Sequence, residues 1–271
     1  MPPAPDIARE VRSYTLPPPP PGEDLFAELS ASVHWEDVGK GRRGAVLTRV
    51  DEDGRVPLVR TTTRYAAPAQ RFRDVHERLA VRIQEHAEIP VAFNNALIET
   101  YTNAYTTMGA HSDQALDLAE DSFIAVFSCY RRPDAGPPRK LIFHPKGSEG
   151  ERFEVPLVHN GFVVFSVGSN RRLKHKIVLE KPVPPTDNQW LGVTFRTSRT
   201  LLEFRDGHAH LPRGPHLPRD PHHRHGPRLT MADEEQSQEF YRLRRRENNE
   251  IDFIYPPLTY TVSESDLLPP V

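Results

Sequence analysis

The chain has 271 residues, 37% of them hydrophobic, with 35 basic against 37 acidic side chains and a formal charge of −2. This is enough for one domain with a sizeable core plus tails, and the even charge balance argues mildly against a nucleic-acid partner. A single cysteine, Cys129, excludes an intrachain disulfide and a cysteine-ligated zinc or iron–sulfur site, and leaves Cys129 as a core residue.

Residues 1–22 carry a proline run, Pro17 to Pro21, that favours extended polyproline II and supplies no ladder donors, so a flexible leader is expected there. The N-terminus lacks the basic and apolar pattern of a signal peptide, and runs such as Phe162 to Phe165 are far too short for a membrane span. A cytoplasmic, intracellular location is the expectation. Asp24 to Leu29 and Val75 to Ala87 place apolar residues at helical spacing and predict two helices flanking the core. After Pro90 the character changes. Val91 to Phe93, Leu97-Ile98, Phe123 to Phe127, Leu141 to Phe143, Phe162 to Val167, Lys176 to Leu179 and Leu191 to Phe195 are short β-rich runs between turn formers. With no long helix between them, the predicted class is mainly β with flanking helices, built as a double-sheet jelly roll or barrel.

Residues 206–230 mix Pro, Arg and Gly with six histidines, His208, His210, His216, His222, His223 and His225, and read as a surface loop. Residues 231–271 form a C-terminal extension. It begins with a charged helix over Asp233 to Glu247, whose narrow apolar stripe of Phe240 and Leu243 predicts weak packing on the core. The aromatic stretch Ile251 to Tyr260 is expected to dock back onto the domain.

The chemistry is concentrated in His111, Asp113 and, 64 residues beyond His111, His175. On an extended strand, side chains two apart share a face, so His111 and Asp113 can converge on one metal while Ser112 points away. Two histidines and a carboxylate leave coordination positions open for a chelating cosubstrate and oxygen, the arrangement used by non-haem iron oxygenases. The same donors suit zinc with a bound water, which keeps a metal-dependent hydrolase on a cupin-like barrel in play.

Three segments carry a family resemblance. Phe93-Asn94-x-x-Leu97-x-x-x-Tyr101 leads to His111-Ser112-Asp113, Gly161 to Gly168 is followed by Arg171 and His175, and Val193-Thr194-Phe195-Arg196 comes last. In this order they resemble the core of AlkB-like Fe(II)/2-oxoglutarate dioxygenases over roughly Asp24 to Thr200. The resemblance implies a double-stranded β-helix domain over residues 23–205, with Fe(II) on His111, Asp113 and His175. It also implies 2-oxoglutarate chelating the metal through its keto acid end, and O2 as oxidant. The reaction would hydroxylate or oxidatively demethylate a C–H bond, with succinate and CO2 as coproducts.

A dicarboxylate cosubstrate needs cationic partners, and if residues 190–198 form one strand, Trp190, Gly192, Thr194, Arg196 and Ser198 share a face while Arg199 lies opposite. Arg196 is the main candidate, with Thr194 and Ser198 beside it, and Tyr101 is similar to the family's cosubstrate tyrosine. Two positions depart from the family pattern. Trp190 stands where the arginine gripping the distal carboxylate is expected, leaving Arg199, Arg171 or Lys174 as substitutes, and Glu99 stands where an asparagine is expected. These departures motivate the alternative of an inactive AlkB-like binding module. The substrate is open between a modified nucleobase, a small metabolite and a protein side chain. Arg60, Arg64 and Tyr65 would border the substrate mouth by resemblance, or else lie on an exposed edge strand.

Overall fold

The β-rich stretch after Pro90 folds into two facing sheets with helices on one outer side. The computed structural model describes residues 7–18, 20–147, 152–180, 188–213 and 226–271. In chain order the first half holds α1 (Ile7–Glu10), β1 (Val11–Thr15), α2 (Leu25–Ala31), β2 (Glu36–Gly39), β3 (Arg42–Thr48), β4 (Val56–Leu58), β5 (Gln70–Arg71) and α3 (Asp74–His86). Then come β6 (Asn95–Thr102), β7 (Phe123–Tyr130), β8 (Arg139–Pro145), β9 (Phe153–Leu157), β10 (Gly161–Ser166), α4 (Val167–Arg172), β11 (Leu173–Val178) and β12 (Gln189–Arg196). The chain closes with β13 (Thr200–Arg205), β14 (His208–His210), β15 (Thr230–Met231), α5 (Glu234–Asn249) and β16 (Tyr260–Thr261).

The large sheet runs β1-β10-β7-β12-β6-β3-β2, with β5 pairing β3, and β12 lies at its centre between β6 and β7. Strand periodicity then sorts the residues of β12. Leu191, Val193 and Phe195 face outward, in one core with Leu29 of α2 and Leu79 and Ile83 of α3. Trp190, Gly192, Thr194 and Arg196 face inward, toward the smaller sheet β11-β8-β9. The smaller sheet is extended by residues 107–111, through bridges Thr107–Val178 and His111–His175. A third sheet, β14-β13-β4, forms a satellite layer around Val56, Leu58 and Leu202. The mainly β, jelly-roll class read from the sequence is the observed one.

The leader departs from expectation. Ile7, Val11 and Leu16 are buried, and β1 pairs antiparallel with β10, Val11 opposite Phe165, so this segment covers a sheet edge that would otherwise present unpaired backbone groups. The C-terminal extension departs too. Besides Phe240 and Leu243, α5 buries Arg244 and Glu247, and Leu258, Tyr260 and Val262 complete a cluster with it, so the packing is close rather than weak. His208 and His210 lie on β14, paired with β13, rather than in a loop, while His216, His222, His223 and His225 lie outside the described residues. Among the described residues no helix is long and apolar enough to cross a membrane.

The first turn of α3 is held by a buried histidine. His76 Nδ1 accepts from the Arg73 backbone N–H at 3.0 Å, which leaves Nε2–H to donate to Ser32 Oγ at 2.8 Å on α2's C-terminal side. Burial and the nearby Arg73 lower His76 from 6.5 to about 4. The unfolded chain therefore takes up a proton near pH 6.5 that the folded chain refuses until about pH 4, so this site's contribution is intact above that window and is lost as pH falls through it. Between pH 6.5 and 4 the urea midpoint should fall more steeply for the native chain than for His76→Gln; parallel slopes would contradict this assignment.

Candidate metal centre

Backbone ladder bonds bring the trio together. His111 N–H donates to the His175 carbonyl at 3.0 Å and His175 N–H returns to the His111 carbonyl at 2.7 Å, so two residues far apart in sequence become direct neighbours. The rings lie 4.7 Å apart, and Asp113 Oδ1 sits 3.8 Å from His111 Nε2 and 3.5 Å from His175 Nε2. One donor atom from each residue falls within 4.8 Å of the others, a separation that a single ion can bridge. His111 Nδ1 meets the Gly109 carbonyl at 2.8 Å, which fixes the proton on Nδ1 and leaves the Nε2 lone pair facing Asp113. His175 Nδ1 is buried without a protein partner among the described residues.

Electrostatics prepare these groups as ligands. Burial opposes charge on Asp113, but Arg196 and the two histidines overcome it and hold the carboxyl well below its usual range. Arg196 supplies Nε at 2.7 Å and a terminal nitrogen at 2.6 Å, both to Oδ2, so Oδ1 stays available. Burial and the neighbouring His175 lower His111 to about 3, so its imidazole is neutral at physiological pH. Neutral imidazoles and an ionised carboxylate are the protonation states metal binding requires.

The backbone after His111 is clamped from two sides. From α4, Asn170 accepts the Asp113 N–H at 2.8 Å and donates to the Asp113 carbonyl at 2.7 Å. From α5, Asn248 accepts the Ser112 N–H at 3.0 Å, Glu247 accepts the Ala115 N–H at 2.8 Å, and Arg244 donates to the Ser112 carbonyl. Sequence reading missed these residues. Their only trace is polar Arg244 and Glu247 sharing the buried side of α5, which periodicity of apolar residues alone cannot reveal.

The trio opens into a cleft of about 470 Å³. Its inner wall carries Leu97, Val126, Leu141 and Ile177, and its mouth carries Thr61 to Thr63, Tyr241, Arg245 and Asn248. Thr194 lines this cleft, as strand parity predicts. Gln114 lines it too, with both side-chain amide atoms buried and without hydrogen-bond partners among the described residues.

Other expected site residues fall elsewhere. Ser198 lies beyond the end of β12, and its hydroxyl donates to the Leu58 carbonyl at 2.5 Å because the chain turns after Arg196 and strand parity no longer applies. Tyr101 is fully buried beneath the cleft wall, its hydroxyl donating to Glu99 at 2.7 Å and its ring 4.7 Å from Trp190. Arg199 and Arg171 reach Glu120, and Lys174 reaches Asn249, so none of the three substitutes lines the cleft. Arg60 is a buried structural residue, paired with Asp117 at 2.8 Å and donating to the Leu258 and Tyr260 carbonyls. Tyr65 is buried rather than on an edge strand, and Arg64 lies over the Tyr241 ring.

A family profile described as the 2OG-Fe(II) oxygenase superfamily matches residues 25–205, and the chain belongs to that superfamily. Its members are oxidoreductases that use Fe(II), 2-oxoglutarate and O2, and the His111, Asp113 and His175 donors fit the iron. Among solved structures, "The structure of OsALKBH1" is 14% identical, with 64% of this chain and 89% of that one covered at a TM-score of 0.44. A Pseudomonas putida prolyl-4-hydroxylase is also 14% identical, with 69% and 92% covered at 0.39. An oxidoreductase of the 2OG-Fe(II) oxygenase family from Burkholderia pseudomallei is 14% identical, with 64% and 80% covered at 0.38. No curated protein matches the sequence significantly.

Because Asn170 fixes the Asp113 backbone without touching a ligand atom, Asn170→Ala should weaken Mn(II) binding about tenfold while the chain stays folded. Anaerobic calorimetry checks this, and an unchanged affinity would refute the clamp.

Proposed function

We propose that the chain is an AlkB-like dioxygenase that oxidises a C–H bond of its substrate, giving a hydroxylated or demethylated product with succinate and CO2. The observation that carries the reading is the trio itself, placed at the base of a cleft with Asp113 held ionised and His111 held neutral. His111, Asp113 and His175 would hold Fe(II), which with 2-oxoglutarate and O2 supplies the oxidising power. The chain's own part is positioning. Arg196 keeps Asp113 ionised and aimed, α4 holds its backbone, α5 holds that of the flanking Ser112 and Ala115, and Leu97, Val126 and Leu141 would exclude water beside a bound metal.

The mouth favours a substrate with polar or anionic groups, since Thr61 to Thr63, Asn248 and Arg245 supply donors there and Gln114 offers a buried amide inside. A modified nucleobase, a small metabolite and a protein side chain all carry such groups. A second reading, a binding module without turnover, is motivated by Glu99 and Trp190 lining the cleft. With Fe(II), ascorbate and air, the native chain should convert 2-oxoglutarate to succinate, and His111→Ala and His175→Ala should fall to background. Metal binding without succinate would move the assignment to the binding module.

A further inference from the structure

Among the described residues four guanidinium groups line the cleft, and three are placed or used elsewhere. Arg196 is committed to Asp113, Arg244 to the Ser112 carbonyl and Glu247, and Arg245 sits exposed on α5 at the mouth. The fourth is Arg42. It starts β3 directly opposite Tyr101, and the next inward position, Gly44, is opposite Glu99, so Arg42 stands at the Glu99 end of the inner face. Among the described residues its ion-pair contact is Glu99 Oε1 at 3.7 Å, well beyond the 2.7–2.9 Å typical of a charge-assisted hydrogen bond, and its guanidinium rests 5.6 Å from the Tyr105 ring.

Two donors at this end have no acceptor within hydrogen-bonding distance among the described residues, the Arg42 guanidinium and the Tyr65 hydroxyl. The Tyr65 hydroxyl is buried and lies over Gly44, where a Cβ would come within 2.5 Å of it. Glu99 already accepts from Tyr101. Buried donors left without acceptors are costly, and a carboxylate supplies what is missing. Among the described residues the cation that β12 contributes to the cleft is Arg196, which is already bound to Asp113. Trp190 instead folds over Gly192, a Cβ there meeting the indole at 2.1 Å, and its N–H is taken by Ser128 at 2.8 Å. Arg139 is fully buried behind the Tyr101 and Trp190 rings, donating to the Thr102 and Tyr105 carbonyls, and does not line the cleft.

We propose that Arg42 binds the distal carboxylate of 2-oxoglutarate, replacing the cation that Trp190 excludes from β12. The inference rests on the oxygenase reading above. Glu99 would be the anion's one unfavourable neighbour, and burial pushes its carboxyl up toward the neutral form, in which it accepts from Tyr101 without repelling the ligand.

The test is anaerobic calorimetry of the Mn(II)-loaded full chain with 2-oxoglutarate and with 2-oxobutyrate, which keeps the keto acid and lacks the distal carboxylate. Loss of one charge-assisted bond predicts that Arg42→Gln weakens 2-oxoglutarate by about tenfold or more and closes most of the gap between the two acids. Arg42→Lys should recover part of the loss. Retained Mn(II) affinity in Arg42→Gln separates a binding defect from a folding defect. A smaller loss, or a gap that stays open, overturns the assignment of Arg42. A native chain that binds Mn(II) but neither acid overturns the oxygenase reading itself.

Discussion

The site depends on one buried contact, the pairing of Asp113 with Arg196. A carboxylate removed from water would normally take up a proton, and a protonated Asp113 is a poor ligand. Arg196 prevents this by engaging Oδ2 twice, which leaves Oδ1 between the two histidines. Removing one partner of such a pair typically costs about 3–5 kcal/mol, because a buried charge is left uncompensated. Arg196 also ends β12, the strand hydrogen-bonded on both sides at the middle of the large sheet. The loop carrying Asp113 is thereby referenced to the most constrained part of the fold.

The second constraint is the C-terminal helix. Arg244, Glu247 and Asn248 all bind the backbone of residues 112–115, and Tyr241 and Arg245 on the same helix reach the cleft mouth. The extension is therefore part of the site, joining the geometry of the metal loop to the entrance through which a substrate must pass. Residues 25–205, the span matched by the superfamily profile, stop short of this helix.

Much of the site was legible because strand periodicity is rigid. Parity put Arg196 and Thr194 on the inner face of β12, and His111 and Asp113 on one side of their segment, and the structure agrees at each. The same argument failed at Ser198, where the strand had ended, since periodicity says nothing about where regular backbone stops. Polar clamps such as Asn170 and Glu247 were invisible for another reason. Their role is hydrogen bonding to backbone across long sequence distances, which leaves no local pattern. The first residues hid their strand behind prolines that follow it, although Ile7, Val11 and Leu16 already gave an apolar spacing. Arg42 could not be singled out among so many arginines until the sheet register set it opposite Tyr101.

The most direct test of the account is an anaerobic crystal of the chain soaked with Mn(II) or Fe(II), measured for anomalous scattering at the metal edge. A single strong peak in contact with His111 Nε2, Asp113 Oδ1 and His175 Nε2, with Arg196 still on Oδ2, is the predicted result. Metal bound elsewhere, or Asp113 turned away from the histidines to follow Arg196, would contradict it.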